Sequence, residues 1–339
     1  MHKDLKLCNY DYVLPKELIA TYPIEPKENA KLLIYEREKN KLTHSHFGKL
    51  DEFLPPCAIF FNDTKVIKAR IFGTKKSGAR IELFLHGAFS EFEFLVQIKG
   101  RVKVGEFLSF EKDLKAEILE LLDDGRRKVK FIQNQTLLDS TKLYELLDLI
   151  GHIPLPPYIK RKDELSDESN YQSIFAKNLG AIAAPTASLH FSKEMLELLK
   201  AKHKLYYLTL HIGAGTFKNV ECENLSEHKM HSESFFINDE AAKIIKSKTP
   251  ILGVGTTTTR SIEYFYRTGI QSGACDLFLH PFNKPLRQDY LLTNFHLPKS
   301  TLIMLVASFI GREKTLELYK LAIEKGYRFY SYGDAMLIL

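Results

Sequence analysis

The sequence lacks the signatures of several common protein classes. Its four cysteines are far apart in a chain of 339 residues and form no CxxC pair, which argues against a disulfide framework and a cysteine-based zinc site. No apolar run approaches the roughly 20 residues that a membrane span needs, and the longest, "TLIMLVASFIG" at 301–311, is interpreted as a buried helix. The polar N-terminal stretch "MHKDLKLCNYDY" contains no apolar signal core. We therefore expect a reduced, cytoplasmic protein without a membrane partner.

Nucleotide-binding fingerprints are also absent. The stretch "HIGAGTFKNV" at 211–220 has the glycines and the lysine of a phosphate loop. The dinucleotide motif, however, requires a third glycine where Lys218 stands, and the mononucleotide loop requires Gly-Lys-Ser/Thr, whereas Gly215 is followed by Thr216. No nucleophile elbow, kinase motif set or HExxH motif occurs, nor does the glycine-rich loop usual in methyltransferases. The ligand of this loop must be inferred from other residues.

The net charge of +6 is modest and by itself only permits an anionic partner. Its distribution says more, because the basic residues form several clusters within about a hundred positions. A charge run is often only a solvated face, but repeated clusters also fit contact with a phosphate backbone. Both interpretations stay open for the following residues: Lys65, Lys68, Arg70, Lys75, Lys76, Arg80, Lys99, Arg101, Lys103, Arg126, Arg127, Lys128, Lys130, Lys160, Arg161 and Lys162.

Two patterns of hydrophobicity divide the chain. Short, partly alternating segments rich in Phe, Ile and Val run from about residue 58 to 130 and predict a small closed β-barrel. After Gly151, helix-like and strand-like segments alternate, with Ser192 and Asn238 as candidate helix caps, which predicts an α/β domain with a largely parallel sheet.

The first 55 residues contain a helix-like segment, "PKELIATYP", and a strand-like segment, "AKLLIYER", that fit the α/β part. We therefore predict a mixed α/β fold in which residues 1–57 and 150–339 form a discontinuous α/β catalytic domain. Residues 58–149 form the inserted barrel. The proline-rich and charged stretch at 151–172 is the expected linker or lid.

Three loops rich in small and hydroxylated residues, at 184–191, 211–217 and 253–260, come just after predicted strands or just before predicted helices. Ligands of α/β proteins collect outside the carboxyl ends of strands, so these loops are candidate binding elements. Arg260, near a helix start, is placed to meet a carboxylate or phosphate. The alternative is that the loops are tight turns with capping hydroxyls.

Further candidate side chains lie outside these loops. The spacing of His228, His231 and Glu233 could seat a metal, but residues three apart on a strand point to opposite faces, so we favour a hydrogen-bonding or acid/base role for one histidine. Asn294 and His296 could present a proton acceptor beside an amide, or form a capped loop. Asp334, in a turn near the C-terminus, is also open to a purely structural interpretation.

Together these motifs resemble the S-adenosylmethionine:tRNA ribosyltransferase-isomerase family of queuosine biosynthesis. The similarity runs from about Tyr12 to Leu339. Small departures occur at Ser188, Lys218 and Thr258, where the family usually has other residues. The motifs that carry the similarity are "FFNDTKVIKARIFG", "HIPLPPYI", "APTASLHF", "TLHIGAGTFKNV", "HKMHSE", "GVGTTTTR", "TNFHLPKSTLIMLV" and "YRFYSYGDAMLI".

The resemblance implies a reaction in which the ribosyl part of S-adenosylmethionine is transferred to the aminomethyl group of a 7-deazaguanine at the tRNA wobble position. The sugar is isomerised to an epoxycyclopentanediol, and adenine and methionine leave. It also implies an α/β domain with an inserted barrel, no metal and no bound cofactor, since S-adenosylmethionine is a co-substrate. We expect a monomer.

This chemistry requires a base for the sugar carbon beside the sulfonium and a pocket without nearby cations. We hypothesise that a histidine among His190, His211 and His231 is the base or its relay, oriented by Glu233. The candidate substrate-binding residues are Thr186, Gly213, Gly215, Thr216, Thr257, Thr258, Arg260, Asn294, His296 and Asp334. The candidate tRNA-binding residues are Lys65, Lys68, Arg70 and Arg161.

Two other classes of protein stay open at this point. A non-catalytic RNA-binding module would use the barrel as its platform, but it has no need of three hydroxyl-rich loops and a histidine-carboxylate cluster. A metal-dependent hydrolase would use His228, His231 and Glu233 as ligands.

Overall fold

The computed structural model describes residues 2–213, 215 and 220–339. Within that part of the chain the backbone forms a nine-stranded sheet, a seven-stranded sheet that closes on itself and a two-stranded ribbon, which confirms the mixed α/β fold. The strands are β1 (Lys31–Glu36), β2 (Lys41–His46), β3 (Ala58–Asn62), β4 (Thr64–Val66), β5 (Arg70–Lys75), β6 (Arg80–Ala88), β7 (Phe94–Lys99), β8 (Phe107–Ser109), β9 (Leu114–Leu121), β10 (Arg127–Gln133), β11 (Thr136–Leu137), β12 (Asn178–Ala181), β13 (Lys204–Leu210), β14 (Glu233–Ile237), β15 (Ile251–Val254), β16 (Ser272–Cys275), β17 (Tyr290–Asn294) and β18 (Ala335–Ile338).

Two helices have the N-terminal caps that the sequence predicts. Ser192 accepts a hydrogen bond from the N–H of Met195, and Asn238 accepts one from the N–H of Ala241, so two helices begin where the sequence predicts. The helices are α1 (Leu50–Phe53), α2 (Ser140–Ile150), α3 (Asp167–Asn170), α4 (Lys193–Lys202), α5 (Asp239–Lys246), α6 (Thr256–Thr268), α7 (Thr301–Ile310) and α8 (Arg312–Glu324).

Of two further segments predicted to be helical, one forms a helix and the other does not. The run at 301–311 is the buried helix α7, as predicted. No helix in the described ranges is long and apolar enough to cross a membrane. The helix-like segment near the N-terminus was predicted wrongly, because only Lys16–Leu18 form a single 3-10 turn. A stretch this short between prolines gains too few hydrogen bonds to offset helix nucleation.

The nine-stranded sheet has the order β16-β14-β13-β3-β15-β17-β18-β1-β2. Its centre, β13-β3-β15-β17, is parallel, but β14, β16, β18 and β2 each pair antiparallel with a neighbour. The sheet is therefore mixed rather than largely parallel. The prediction failed because alternating helices and strands identify the central crossovers but not the direction of the added edge strands.

Strand β3 lies in the middle of this sheet, so the predicted barrel boundary at residue 58 is too early. Ile59 and Phe61 pack in the core that includes α4, whereas Ala58 and Phe60 pack in the core that includes α5 and α6. A strand buried on both faces is a continuous apolar run, and such a run does not reveal which sheet it joins.

The barrel is formed by β5 to β10. Neighbouring strands pair in the order β10-β7-β6-β5-β8-β9, and pairing of β9 with β10 closes the ring, while β11 extends β10. Apolar side chains fill the interior, and Leu143, Leu146 and Leu147 of α2 pack against them. The closed barrel predicted from the short strands is confirmed, with α2 as part of its core.

The segment at 151–172 is packed against both parts of the protein. The backbone N–H of His152 donates to the carbonyl of Arg70 (2.8 Å) where the barrel begins. Arg161 donates two hydrogen bonds to Asp167 (2.6 and 2.7 Å), and its guanidinium lies 4.0 Å from the ring centre of Tyr22. These contacts fix the segment against the α/β domain.

Gly151 joins α2 to this segment, and its lack of a side chain is required. A Cβ atom there would lie 2.2 Å from the carbonyl oxygen of Lys68 and 2.5 Å from that of Leu147. Gly151→Ala should lower the free energy of unfolding by about 2 kcal/mol, measured by urea denaturation, because two backbone segments must move apart. Leu149→Ala is the control, since that side chain of the same helix is 74% exposed. Equal stability of the two variants would contradict this account of the joint.

Candidate active site

The central parallel strands of the large sheet all end at one edge, and a cavity lies there. β13, β3, β15 and β17 run in the same direction, so the residues that follow them converge. The cavity is a cleft that is partly open to solvent, the usual shape of a small-molecule site. The loops at 184–191 and 253–260 both contribute to its wall.

The wall is largely apolar and hydroxylated. Among the described lining residues, Arg260 has the one permanently charged side chain. Of the predicted substrate-binding residues, Thr186, Thr257, Arg260, Asn294 and His296 lie in this wall. The other lining residues are Pro157, Tyr158, Tyr171, Ala183, Ala184, Pro185, Ala187, Ile212, Met230, Gly255, Thr256, Thr293, Leu297, Ser300, Thr301, Leu302, Tyr330 and Ser331.

Arg260 and Glu233 form a buried ion pair at this wall. One guanidinium nitrogen donates to Glu233 Oε2, and the others donate to the carbonyls of Leu277 (3.0 Å) and Cys275 (3.1 Å). The second oxygen of Glu233 accepts the N–H of Gly213 (3.0 Å). Both side chains are nearly fully buried, so the pair places a neutralised charge beside the cavity.

His190 lies behind the cavity wall. Its Nε2 is 3.3 Å from Asn294 Oδ1, while the Asn294 amide donates to the carbonyls of Tyr330 (2.8 Å) and Ser331 (3.2 Å). Asn294 Oδ1 is therefore the acceptor, and the His190 Nε2 carries the proton. Burial lowers the pKa of His190 to about 4, although the bond to Asn294 opposes the shift. His190 is neutral at physiological pH and fixes Asn294.

His296 is a second neutral histidine. Its Nε2 lies 2.8 Å from Thr293 Oγ1, and its backbone N–H donates to the hydroxyl of Tyr319 (3.1 Å). Burial lowers the pKa of His296 to about 3. It can therefore offer the cavity a hydrogen bond without adding positive charge.

His211 faces another hollow, on the outer side of β13. Its Nδ1 lies 2.8 Å from Thr64 Oγ1, and its ring packs on Gly180. Asp63 and Asn178 line the same hollow. Burial lowers the pKa of His211, with Asp63 opposing, so the ring is neutral near pH 7. His211 is therefore separated from the main cavity, whose wall includes its neighbour Ile212.

His231 lies next to the glycine-containing loop. Its Nε2 is 3.8 Å from Glu233 Oε1, and its side chain is 32% exposed. A Cβ atom on Gly215 would come within 2.6 Å of the imidazole, so glycine is needed for this close approach. Gly213, in contrast, has no described atom within 4 Å of its open side. The structure thus joins His231, Glu233 and Arg260 in one chain of contacts.

The remaining predicted substrate-binding residues have different surroundings. Thr257 Oγ1 accepts a hydrogen bond from Asn62 (3.1 Å), whereas the fully buried Thr258 donates to the carbonyl of Val254 (2.7 Å) at the end of β15. Thr216 lies outside the described residues.

Asp334 is not part of the cavity wall. Its two carboxylate oxygens accept the backbone N–H groups of Lys31 (2.8 Å) and Arg328 (2.7 Å). Burial raises the pKa of Asp334, although those hydrogen bonds and the nearby cations oppose the shift. The carboxylate links β1 to the segment before β18.

The predicted tRNA-binding residues are mostly engaged in ion pairs. Lys68 pairs with Glu168 (2.8 Å), Arg70 with Glu82 (2.6 Å) and Arg161 with Asp167. Lys65, on β4, makes no ion pair with a described residue. The carboxylate of each pair therefore offsets the attraction of its partner cation for phosphate, whereas no described carboxylate pairs with Lys65.

No group of three or more His, Cys, Asp and Glu side chains is arranged to hold a metal ion in the described part of the chain. The ring of His228 instead meets Phe278, with centroids 5.1 Å apart. The metal-dependent hydrolase therefore has no ligand set on these residues.

Two tyrosines of the cavity wall were missed as functional candidates. Tyr158 and Tyr330 stack, with ring centroids 4.2 Å apart and ring planes inclined by 24°. Both belong to motifs that the sequence comparison singled out, "HIPLPPYI" and "YRFYSYGDAMLI". The only available signal was aromatic residues in those motifs, and the pattern does not tell which ring faces inward.

These features define an α/β enzyme with an inserted barrel and a neutralised cavity at the carboxyl edge of its sheet. A family model described as "Queuosine biosynthesis protein" matches residues 7–338. The chain belongs to this family of queuosine biosynthesis proteins.

Similar proteins cover the whole chain. The S-adenosylmethionine:tRNA ribosyltransferase-isomerase of Campylobacter jejuni strain 81-176 is 67% identical over 342 residues, covering 100% of both chains. The protein of the same name from Aliarcobacter butzleri is 58% identical over 99% of both chains. The crystal structure of S-adenosylmethionine tRNA ribosyltransferase from Thermotoga maritima is 32% identical, covers 98% of this chain and 100% of that one, and has a TM-score of 0.55.

Because of the buried histidines, we predict that the folded protein loses stability as the pH falls. An unfolded histidine titrates near 6.5, whereas the pKa values of His190 and His296 are about 4 and about 3, so the unfolded state takes up protons first as the pH falls. The free energy of unfolding should therefore fall between pH 7 and pH 5, by about 2 kcal/mol for each histidine.

His190→Gln keeps a donor for Asn294 but does not titrate, so it should remove about 2 kcal/mol of this pH dependence. Urea denaturation at pH 7 and pH 5 measures the difference. His46→Gln, which changes an exposed histidine of β2, is the control and should leave the dependence unchanged. A His190→Gln protein with the full wild-type dependence would show that His190 titrates normally in the folded state.

Proposed function

We propose that this chain transfers the ribosyl group of S-adenosylmethionine to 7-aminomethyl-7-deazaguanine at the wobble position of tRNA and isomerises it to give epoxyqueuosine-tRNA. Adenine and methionine leave in this reaction. The names of the full-length relatives and the family motifs support this reaction class.

The charge of the cavity supports this proposal most directly. A sulfonium co-substrate is a cation, so it binds poorly beside uncompensated positive charge. The cavity's permanently charged Arg260 is paired with Glu233, and His296 is held neutral by burial. The cavity therefore accepts the sulfonium without a repulsive neighbour, while the hydroxyl of Thr257 lies in its wall for polar parts of the ligand.

Arg260 suits this role as a structural cation. Its nitrogens already donate to Glu233, Cys275 and Leu277, so we propose that it organises the wall. We propose this structural role for Arg260 in place of direct binding to the methionine carboxylate or to a tRNA phosphate.

We propose His231 as the base that removes the proton from the sugar carbon beside the sulfonium, with Glu233 orienting its ring. The His231 side chain is 32% exposed, its Nε2 lies 3.8 Å from Glu233 Oε1, and its chain neighbour Met230 lines the cavity. His190 is engaged with Asn294, and His211 faces the outer hollow, so each serves better as a positioning residue.

We further propose that the enzyme acts as a cytoplasmic monomer, with S-adenosylmethionine as co-substrate and no resident metal or cofactor. The proposed chemistry needs only acid/base groups and a shaped cavity. An RNA-binding module without activity is disfavoured, because such a module has no need of a cavity at the sheet edge with a buried ion pair beside it.

The tRNA contacts are proposed for the start of the barrel and the segment after it. Lys65, Lys68, Arg70 and Arg161 lie on or beside these elements, which meet where His152 pairs with Arg70. Phosphates can approach them close to the segment that ends in the cavity wall at Tyr158.

The catalytic proposal is tested with tRNA carrying the aminomethyl-deazaguanine, together with S-adenosylmethionine, by measuring free adenine and the modified nucleoside. His231→Ala should lower turnover by a factor of about 100 or more, because general-base catalysis is lost. His190→Ala and His211→Ala should lose less, and His46→Ala is the control on an exposed histidine.

Near-normal turnover in all three site variants would exclude a histidine base. If the wild-type protein binds tRNA but releases neither adenine nor modified nucleoside, the protein is an RNA-binding module instead.

The tRNA proposal predicts unequal effects of changing the basic residues. Lys65→Glu should weaken tRNA binding and flatten its dependence on salt concentration by about one unit of slope, since an uncompensated phosphate contact is lost. Arg70→Gln should have a smaller effect, because Glu82 already offsets that charge. Lys320→Glu, an 80% exposed position on α8, is the matched control. Unchanged affinity and slope in Lys65→Glu would assign Lys65 to solubility alone.

A further inference from the structure

Tyr330 has a backbone conformation that a bulky residue rarely adopts. Its φ is +72°, in the left-handed region where the Cβ atom crowds the following carbonyl. The other non-glycine residues with positive φ in the described ranges are Asn, Asp, Gln or Lys, so Tyr330 is the one aromatic among them. Such a conformation persists only where the surroundings impose it, and it is often found at functional sites.

Hydrogen bonds on both sides of Tyr330 impose this conformation. Its N–H donates to the carbonyl of Phe295 (3.0 Å), and its carbonyl accepts the amide of Asn294 (2.8 Å) and the N–H of Gly333 (3.0 Å). The next residue, Ser331, donates its N–H to the hydroxyl of Tyr158 (3.2 Å). Asn294 itself lines the cavity, so the bonds that hold Tyr330 belong to the site.

The result is a rigid pair of aromatic rings inside the cavity. Tyr330 stacks on Tyr158 at 4.2 Å between centroids, and both rings line the cavity. Tyr158 is held by the same segment, because its hydroxyl bonds the hydroxyl of Ser331. The pair therefore presents an uncharged π surface that does not need to rearrange when a ligand arrives.

A planar, uncharged aromatic ring is the ligand that such a surface recognises best. On the proposed function two purine-like rings enter this site, the adenine of S-adenosylmethionine and the deazaguanine of tRNA. Tyr330 is only 9% exposed, so it lies deep in the wall, where a small molecule fits better than a base tethered to a folded RNA. We propose that the stacked rings of Tyr158 and Tyr330 are the platform for the adenine ring of S-adenosylmethionine.

This proposal rests on the proposed function but is tested by binding alone, without turnover. The probes are S-adenosylmethionine and two overlapping fragments of it, 5′-methylthioadenosine and methionine, measured by calorimetry both without tRNA and with tRNA that lacks the aminomethyl group. A wild-type protein that binds S-adenosylmethionine under neither condition would count against the proposed function itself. Effects confined to the tyrosine variants report on the platform.

The informative variants separate the contribution of the aromatic ring from that of the strained backbone. Tyr330→Asn removes the ring but keeps a residue that tolerates positive φ, and Tyr330→Phe keeps the ring. Tyr330→Asn should weaken S-adenosylmethionine and methylthioadenosine at least tenfold and leave methionine unchanged, while Tyr330→Phe stays within about twofold of wild type. Tyr158→Leu removes the second ring, together with the hydroxyl that accepts the Ser331 N–H, and should act like Tyr330→Asn. Tyr266→Asn, an exposed tyrosine of α6, is the control.

Three outcomes would overturn the proposal. Wild-type affinity for methylthioadenosine in both Tyr330→Asn and Tyr158→Leu would show that adenine lies elsewhere. An equal loss in Tyr330→Phe would assign recognition to the hydroxyl rather than the ring. Retained S-adenosylmethionine binding with selective loss of tRNA carrying the aminomethyl-deazaguanine would place the tRNA base on the platform. A urea midpoint for each variant separates these results from unfolding.

Discussion

The buried pair of Arg260 and Glu233 is the contact on which the cavity depends. It joins α6 to the start of β14, and its remaining donors and acceptors reach Cys275, Leu277 and Gly213. Removing one partner of such a pair leaves an uncompensated buried charge and typically costs about 3–5 kcal/mol. The pair thus fixes the geometry of three chain segments and, by neutralising itself, leaves the cavity suited to a cationic co-substrate.

Burial also keeps two histidines near the cavity uncharged. His190 and His296 are neutral because desolvation opposes their charged forms, so they act as hydrogen-bonding groups near the cavity without repelling a sulfonium. His231 differs because it keeps solvent access beside Glu233. The same residue type is therefore buried at two positions and partly exposed at the third.

Much of the architecture was predictable because its causes are local. The caps at Ser192 and Asn238, the buried helix at 301–311 and the short barrel strands follow from hydrogen-bonding side chains and hydrophobic periodicity. The place of β3 was not predictable, since a run buried on both faces carries no mark of its sheet. The ion pair that offsets the charge of Arg70 was also not predictable. Glu82 lies on the neighbouring strand, and the sequence pattern does not show which residues of two strands face each other.

The sequence by itself determined the mixed α/β class, the inserted barrel, the candidate loops and the family, since long ordered motifs identify a chemistry without coordinates. Only the tertiary structure decided which candidates meet. Asn294 and Arg260 line the cavity, whereas His211 lines the separate outer hollow. Asp334 accepts hydrogen bonds from backbone N–H groups. The physical reason is that proximity, burial and pKa arise from segments far apart in the chain, and no local pattern encodes the distance between them.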